Sequence, residues 1–302
     1  MSSIISRRES CRLCGGKEHD LVLPLKASPI ADAYLSTTTG KKEQPSFPMD
    51  LFICRSCGHA QILDVIDPEV LYRDYIYVTT SSLGLGDHFR KHSESVLAQL
   101  KLPASSLVVD IGSNDGTLLG HYKAAGMKVL GIEPAREIAR DATQRGITTL
   151  PAFFDSTLAE GIVAEHGKAS LVTMNNLFAN IDDLDEIAKG IRKLLAPDGV
   201  YIFESFYFVD YVENMVFDFM YHEHLSYFTI RPLEKFFAKH GMELVDVERI
   251  PTKGGSVRCM VQLQGGPKSR APIVDSLIAR EEKLAIQNAS SPLFVDFKSR
   301  IE

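Results

Sequence analysis

A regular alternation of short apolar runs and helical stretches fills the middle of this chain, and it restricts the fold more than any other feature of the sequence. Apolar runs occur at 107–111, 129–132, 152–154, 171–174 and 200–203, and helical stretches lie between them. Strands that alternate with helices pair in parallel, because each connection has to cross a face of the sheet. The pattern therefore predicts an α/β fold with a doubly wound parallel sheet that is covered by helices on both faces.

The order of elements changes after the fifth run. Residues 242–249 and 256–264 are two strand-like runs joined by the turn Ile-Pro-Thr-Lys-Gly-Gly at 250–255. Two strands joined by a short turn rich in glycine and proline are typical of an antiparallel hairpin. We expect this hairpin to close the sheet.

Four of the five cysteines form two Cys-x-x-Cys-Gly pairs near the N-terminus, and Cys259 stands alone. Two residues between the cysteines let both thiolates face one ion, and two such pairs complete a closed tetrahedral site with no open position for a substrate. His59 could replace a ligand, but the cysteines already fill the site. The sequence therefore predicts a structural zinc site, whose ligands are Cys11, Cys14, Cys54 and Cys57.

Composition and charge limit the possible partners. The chain is 45% hydrophobic and 24% charged, and 33 Lys and Arg residues against 39 Asp and Glu residues give a net charge of -6. A protein that grips nucleic-acid phosphates usually has a basic face, so this balance disfavours a nucleic-acid partner. The sequence has neither an apolar run of about 20 residues nor the apolar part of a secretory signal. We expect a cytoplasmic protein with no membrane partner.

A glycine-containing loop, Asp-Ile-Gly-Ser-Asn-Asp-Gly at 110–116, follows the first strand and opens a helix. Open α/β sheets bind ligands at this end of their strands. A dinucleotide fingerprint needs G-x-G-x-x-G, and Asn114 stands where the second glycine would be. Glu133 ends the next strand, where a carboxylate can accept hydrogen bonds from both ribose hydroxyls. This combination favours a nucleoside that carries a sulfonium, S-adenosylmethionine, over a dinucleotide.

A run of ionisable and aromatic residues, Tyr-His-Glu-His-Leu-Ser-Tyr at 221–227, follows the fifth strand. It is not the metalloprotease motif H-E-x-x-H, because Ser226 stands where the second histidine would be. A carbon atom alpha to a ketone loses its proton only to a nearby base, and the enolate oxygen needs stabilisation. A histidine oriented by a carboxylate, with tyrosine hydroxyls nearby, supplies these groups. The alternative is a set of satisfied polar side chains at a domain junction.

The cysteine pairs, DIGSNDG, GIEP and YHEHLSYFT together resemble the S-adenosylmethionine-dependent sugar C-methyltransferases of deoxysugar biosynthesis, from residue 11 to about residue 264. Close relatives in that family methylate C-3 of a dTDP-linked 4-keto-deoxysugar. The resemblance implies an N-terminal zinc-binding module, a Rossmann-like class I methyltransferase core and a C-terminal sugar-binding region. It also implies S-adenosylmethionine and structural Zn²⁺ as cofactors, and a nucleotide-linked sugar as substrate.

The resemblance also implies roles for single residues. His224 is the general base with Glu223 beside it, and Tyr221 and Tyr75 line the keto-sugar pocket. Further substrate-site candidates are Tyr77, Asn180 and His222, of which His222 is the more typical of a structural residue. The candidates for binding S-adenosylmethionine are Asp110, Gly112, Asn114, Asp115, Gly116, Glu133, Pro134, Phe154 and Asn176.

Two departures from the family affect these expectations. Close relatives carry histidine where this chain has Asn180, and asparagine cannot carry a proton at neutral pH, so the ring position that is methylated stays open. The family also continues into a further nucleotide-binding lobe. We expect a zinc-binding module at 1–80, a methyltransferase core at 81–266 and a shortened helical tail at 267–302, in a monomer or homodimer. The tail should hold one amphipathic helix at 272–288, with Glu281 and Glu282 on its solvent side.

Two other functions remain open at the level of sequence. The first is a methyltransferase for another acceptor, an oxygen or nitrogen atom or an RNA, although the negative net charge disfavours RNA. The second is a catalytically silent scaffold that keeps the methyltransferase fold for binding a partner. Asn180 and the shortened tail are the features that favour it.

Overall fold

A seven-stranded sheet lies at the centre of the protein, for which the computed structural model describes residues 4–31, 44–73, 75 and 77–301. A smaller sheet is built from the N-terminal residues. The elements before the central sheet are β1 (Ile5–Arg7), β2 (His19–Leu23), β3 (Leu51–Cys54), β4 (Ala60–Ile62), β5 (Asp64–Ile66), α1 (Pro68–Tyr72) and α2 (Leu85–Leu100).

The central sheet and its helices follow the predicted alternation. The first part comprises β6 (Leu107–Ile111), α3 (Thr117–Ala124), β7 (Lys128–Ile132), α4 (Arg136–Gln144), β8 (Thr149–Leu150), α5 (Ser156–His166), β9 (Ala169–Asn175), α6 (Leu184–Leu194) and β10 (Leu195–Phe206). The second part comprises α7 (Phe208–Glu213), β11 (Ser226–Tyr227), α8 (Ile230–Lys239), β12 (Met242–Ile250), β13 (Ser256–Leu263), α9 (Pro272–Leu284) and α10 (Pro292–Ile301).

The strand order of the central sheet is β12-β13-β10-β9-β6-β7-β8. Strands β6 to β10 pair in parallel, and β13 runs antiparallel between β10 and β12, so the predicted doubly wound sheet and closing hairpin are confirmed. Since the chain builds outward in opposite directions from β6 and β9, their carboxyl ends form the switch point where such sheets bind ligands. The domain boundaries expected at residues 80 and 266 stay a prediction.

The small sheet joins the two parts of the chain. It has the order β11-β4-β3-β2, so β4, the outermost of three N-terminal strands, pairs with a strand that lies between the helices α7 and α8. Ser226 pairs with Gln61 and Tyr227 with Ala60. We call residues 4–66 the N-terminal module. The run at 221–227 therefore ends as a strand of the sheet of this module.

The predicted strand at 152–154 is wrong in position. The strand in this part of the chain is β8, which pairs with Gly131 and Ile132 of β7. Pro151 follows β8 directly and has no N–H with which to continue the ladder. Phe154, a cofactor-binding candidate, is buried. Its ring packs so closely on Gly190 of α6 that a Cβ atom added to Gly190 would lie 2.8 Å from the ring.

The predicted C-terminal helix is also corrected. Helix α9 ends at Leu284, because Ala285 adopts a left-handed conformation with φ of +49°. Glu281 is buried rather than on the solvent side. Its carboxylate accepts hydrogen bonds from the Tyr207 hydroxyl at 3.0 Å and from the backbone N–H groups of Ile230 at 2.6 Å and Arg231 at 3.0 Å. The carboxylate thus caps the N-terminus of α8 from a different helix.

Within the described residues, every helix is too short or too polar to cross a lipid bilayer.

We expect Glu281→Ala to lower the free energy of unfolding by about 2–4 kcal/mol, because three hydrogen-bond donors lose their acceptor in a buried place. The matched control is Glu282→Ala, since the side chain of Glu282 is half exposed and lies 3.5 Å from Arg231; its effect should stay within about 0.5 kcal/mol. Urea unfolding of both variants measures the difference. Equal effects would show that the cap at α8 contributes no stability.

Candidate active site and zinc centre

The loop after β6 follows a path that requires glycine. Gly112 has φ of +75°, and a Cβ there would lie 2.5 Å from Cδ2 of Leu177. A residue with a side chain would be strained by this backbone conformation and would meet Leu177 as well. Gly116 caps α3 with φ of +76°, and Asn114 between them is also left-handed, with φ of +48°. The predicted glycine loop thus brings the backbone close to the switch point.

Polar side chains gather where β6 and β9 end. The hydroxyl of Thr173 donates to Asp110 at 2.7 Å, and burial raises the pKa of Asp110 to about 7. Asn176 has φ of +56°, and its N–H donates to the carbonyl of Glu204 at 2.9 Å. The amide oxygen and nitrogen of Asn175 are buried without a hydrogen-bond partner among the described residues. Such an orphaned amide at a switch point suits a polar ligand.

Glu133 lies where a carboxylate can meet a ribose. Its two oxygens accept from the N–H of Asn114 at 3.0 Å and from the N–H of Ala135, next to Pro134, at 2.9 Å. Burial raises the pKa of Glu133, and these two bonds act in the opposite direction. A carboxylate has about four acceptor positions, so two remain for the hydroxyls of a ribose. The glycine loop, the orphaned amide of Asn175 and this carboxylate together fit S-adenosylmethionine.

Asn114 and Asp115 hold a segment of the chain over this loop. The amide oxygen of Asn114 accepts from the N–H of Thr79 at 2.8 Å, and its amide nitrogen donates to the carbonyl of Tyr77 at 2.9 Å. The carboxylate of Asp115 accepts from the N–H of Thr80 at 3.0 Å. Both side chains were expected to bind the cofactor, and in this structure they fasten the segment that leads to the candidate pocket residues.

His224 is buried and held in one tautomer. Its Nδ1 lies 2.7 Å from the carbonyl of Phe219, and because a carbonyl only accepts hydrogen bonds, Nδ1 carries the proton and Nε2 is left as the basic nitrogen. The ring lies 4.0 Å from that of Tyr221 and 4.2 Å from that of Phe206, measured between centroids. A backbone carbonyl therefore orients His224, where the sequence suggested a carboxylate.

The environment of His224 keeps the ring neutral. Burial lowers the pKa of His224 to about 3, and the positive charge of Lys253 acts in the same direction. The hydrogen bond with Phe219 opposes this effect without cancelling it. A neutral imidazole is the form that can take a proton.

Tyrosines surround Glu223 on the side of the N-terminal module. The hydroxyl of Tyr75 donates to the carboxylate of Glu223 at 3.3 Å, and the ring of Tyr72 packs edge-on against that of Tyr75. Burial raises the pKa of Tyr72 well above its ordinary value, and the charge of Glu223 adds to this rise. The buried amide oxygen of Asn180 has no hydrogen-bond partner among the described residues. Sequence reasoning missed Tyr72, although the spacing Tyr-x-x-Tyr-x-Tyr from 72 to 77 could have indicated it.

Two of the predicted substrate residues have hydrogen-bond partners within the protein. Nε2 of His222 lies 3.0 Å from the carbonyl of Phe47, and their rings meet edge-on. The hydroxyl of Tyr77 bonds with that of Ser82 at 2.8 Å. His222 therefore contacts the N-terminal module through Phe47.

Lys253 is a charged group of this site that sequence reasoning did not select. It lies in the turn between β12 and β13 with φ of +51°, a conformation that is uncommon for residues other than glycine. Burial lowers the pKa of Lys253, while the charges of Glu223 and Glu204 raise it. Gly254 and Gly255, which follow Lys253, were the one sequence feature that could have drawn attention to it.

A second buried group of ionisable residues lies under the end of β10. Glu204 accepts from Nε2 of His88 at 2.7 Å and from Nδ1 of His92 at 2.9 Å, and Arg258 approaches the same carboxylate to 2.6 Å. Three potential metal ligands thus lie together, but the guanidinium already neutralises the only negative charge among them. We interpret the group as an ion network that fastens α2 to the sheet.

The four predicted cysteine ligands meet in the N-terminal module. Their sulfur atoms lie within 4.8 Å of one another, and the pairs Cys11–Cys57 and Cys14–Cys54 are 3.6 Å apart. Tetrahedral zinc with Zn–S bonds of about 2.3 Å places sulfurs about 3.8 Å apart, so the arrangement fits the ion. His59 is not part of this group, since its Nε2 lies 3.1 Å from the hydroxyl of Ser226.

Family models match both parts of the chain. One described as "Putative zinc binding domain" matches residues 11–72, which contain all four ligands. One described as "Methyltransferase domain" matches residues 87–247, which contain the glycine loop and the run at 221–227.

A curated protein and a solved structure extend these matches. C-methyltransferase NovU of Streptomyces niveus is 34% identical over 286 residues, which cover 95% of this chain and 68% of that protein. The crystal structure of the PH0226 protein from Pyrococcus horikoshii OT3 has a TM-score of 0.51 and 13% identity, and the match covers 66% of this chain and 96% of that one. The second likeness shows the fold alone.

We expect Cys54→Ser to reduce bound zinc from about one ion per chain to a small fraction of it, and to lower the yield of folded protein, because three thiolates no longer close the tetrahedron. The control is Cys259→Ser, since Cys259 is buried in β13, away from the four ligands. Metal analysis of both purified variants measures the effect. A full complement of zinc in the Cys54 variant would contradict the assigned ligand set.

Proposed function

Because this chain belongs to the S-adenosylmethionine-dependent C-methyltransferase family that carries an N-terminal zinc-binding domain, we propose that it methylates a carbon atom alpha to the ketone of a nucleotide-linked keto-deoxysugar. Membership rests on the two family models and on the 34% identity to a C-methyltransferase over 95% of the chain. The substrate and the chemical roles of single residues are the proposed part.

The observation that carries the proposal is the state of His224. Its Nδ1–H is fixed on a backbone carbonyl, so Nε2 is unprotonated, and burial keeps the ring neutral far below neutral pH. Carbon methylation needs a base for a C–H proton, whereas many oxygen and nitrogen acceptors lose theirs to water. A neutral, oriented imidazole beside a tyrosine is the arrangement that such a reaction requires.

The proposed reaction begins with the alpha carbon of the sugar losing its proton to Nε2 of His224. The electron pair of the broken C–H bond moves into the bond between the alpha carbon and the carbonyl carbon, and negative charge develops on the ketone oxygen. A hydrogen bond from the hydroxyl of Tyr221, or from that of Tyr75 if its proton turns from Glu223 to the ketone oxygen, would stabilise this enolate. The positive charge of the Lys253 ammonium would favour it as well. Bound S-adenosylmethionine would supply the electrophilic methyl group for the new C–C bond, and the electron pair of the broken C–S bond would stay on the sulfur of S-adenosylhomocysteine, which leaves.

Holding the cofactor falls to the glycine loop, Glu133 and the ends of β6 and β9. The segment that Asn114 and Asp115 fasten covers this loop and carries Tyr75 and Tyr77. Cofactor site and sugar pocket would therefore share one wall. Aligning the two substrates accounts for much of the rate in reactions of this kind.

The function is tested by incubating the protein and S-adenosylmethionine with a panel of dTDP-, CDP- and GDP-linked 4-keto-deoxysugars. We expect mass spectrometry to show a gain of one methylene on one member of the panel, with release of S-adenosylhomocysteine. Binding of S-adenosylmethionine without transfer to any member would contradict the proposed substrate class.

His224→Gln should abolish methylation and the exchange of the alpha proton with solvent deuterium, with a loss of about 10²–10⁴ in rate, because the base is removed. The dissociation constant of S-adenosylmethionine should stay within about twofold, since His224 is not part of the glycine loop. The matched control is His222→Gln, which should keep exchange above a tenth of wild type. Normal exchange in the His224 variant would show that another group is the base.

The pH dependence of stability gives a test that needs no substrate. Because the folded pKa of His224 is about 3, below the ordinary 6.5, the unfolded chain binds the extra proton first. The unfolding free energy that the neutral His224 ring contributes is fully present above pH 6.5 and is lost as the pH falls toward 3. Between pH 7 and pH 5 the wild type should lose about 2 kcal/mol more unfolding free energy than His224→Gln. Parallel curves would contradict a buried neutral histidine.

A further inference from the structure

The backbone of Leu225, the residue that follows His224, is held from two sides. The N–H of Leu225 donates to the carbonyl of Ala179 at 2.9 Å, and its carbonyl accepts from the N–H of Ile62 at 3.0 Å. Ala179 belongs to the turn that ends at Asn180, and Ile62 ends β4 of the N-terminal module. The position of His224 along the chain is therefore set by contacts with two separate parts of the protein.

Arg12 reaches the same carbonyl from inside the zinc site. It lies between the ligands Cys11 and Cys14, and its side chain is fully buried. Its Nη1 donates to the carbonyl of Ile62 at 2.6 Å and to that of Leu225 at 3.3 Å. One terminal nitrogen thus bridges the N-terminal module and the segment that carries His224.

The other nitrogens of the same guanidinium bind the loop that carries Asn180. Nε of Arg12 donates to one oxygen of the Asp182 carboxylate at 3.0 Å, and Nη2 lies 2.9 Å from the same oxygen as an ion pair without a hydrogen bond. Asp182 is two residues after Asn180. Arg8 pairs with the second oxygen of that carboxylate at 3.0 Å. A planar group with five donors in a fixed geometry can hold all these acceptors at once, which an ammonium cannot.

The second Cys-x-x-Cys pair offers an internal comparison. Arg55 lies between Cys54 and Cys57 as Arg12 lies between Cys11 and Cys14. The side chain of Arg55 is more than half exposed and pairs with Asp20, which belongs to the N-terminal module itself. Two arginines with the same local sequence thus differ in that only Arg12 contacts the segments of the candidate active site.

We infer that Arg12 is a positioning residue, through which the zinc site fixes the placement of His224 and Asn180. The four cysteines hold the backbone of residues 11–14 in one conformation, and this conformation aims the guanidinium at Leu225 and Asp182. The zinc site then acts on the reaction at a distance, without contact to the substrate. The effect on catalysis rests on the proposed function, whereas the effect on the placement of these segments does not.

Amide hydrogen exchange tests the placement without any substrate. In the zinc-loaded protein, Arg12→Gln should raise the exchange rate of peptides that cover 222–228 and 177–182 by about tenfold or more, because their contacts with a fixed guanidinium are lost. Arg55→Gln is the matched control and should leave both peptides unchanged. Removing zinc from the wild type with a chelator should raise exchange in the same two peptides.

Two results would overturn the placement. One is unchanged exchange in Arg12→Gln with zinc still at one ion per chain, and the other is an equal rise in Arg55→Gln. If Arg12→Gln loses zinc or fails to fold, Arg12→Lys decides, since lysine keeps the charge but cannot serve Asp182, Ile62 and Leu225 together. It should show the same rise with zinc retained, and wild-type exchange in it would overturn the inference.

Kinetics test the catalytic part. With a sugar of the panel that the wild type methylates, Arg12→Gln should lower kcat by about tenfold or more and leave the dissociation constant of S-adenosylmethionine within about twofold. Arg12→Lys should lower kcat by a similar factor, because it loses the same placement, and Arg55→Gln should match the wild type. Unchanged kcat in Arg12→Gln would overturn the catalytic part. A wild type that methylates no sugar of the panel would contradict the proposed function and leave the exchange result standing.

Discussion

The pairing of β4 with β11 is the contact on which the candidate site depends. Through this pairing, Ser226 and Tyr227, the two residues after Leu225, form a strand of the sheet in the N-terminal module. Without this pairing, the residues between α7 and α8 would lose their backbone hydrogen bonds to the N-terminal module, and the central sheet would contact His224 through the ring of Phe206. The N-terminal module is therefore part of the site, although its cysteine site leaves no open position for a substrate.

Burial around His224 has two opposite effects on the proposed reaction. A base whose pKa is near 3 binds a proton weakly, which slows the removal of a proton from carbon. The same dry surroundings and the same lysine charge favour an enolate once it forms, because electrostatic stabilisation is strongest where water is excluded. The rate would then depend more on stabilising the enolate oxygen than on the strength of the base. In the proposed reaction, Lys253 and the hydroxyl of Tyr221 or Tyr75 would then contribute more to the rate than they would beside a stronger base.

The sequence was sufficient for the features that depend on local pattern and spacing. Strand periodicity predicted the central sheet, and the Cys-x-x-Cys spacing predicted the zinc ligands. Prediction from the sequence failed where a distant segment of the chain decides the position of a side chain. Glu281 is drawn inward because the N-terminus of α8 offers it two unpaired N–H groups. In the candidate site, a carbonyl five residues earlier in the chain, rather than the adjacent Glu223, orients His224.

The two arginines of the cysteine pairs show why local sequence cannot assign such roles. Cys-Arg-Leu-Cys-Gly and Cys-Arg-Ser-Cys-Gly give both arginines the same backbone setting, in which each carbonyl of the first cysteine accepts from the N–H of the glycine. One side chain meets solvent and a single exposed carboxylate, where an ion pair contributes little. The other meets three backbone or carboxylate acceptors in a buried place, where removing the guanidinium would cost each of them a hydrogen bond. The difference arises only from what the rest of the chain places opposite each arginine, so the role of Arg12 follows from the fold and not from the motif.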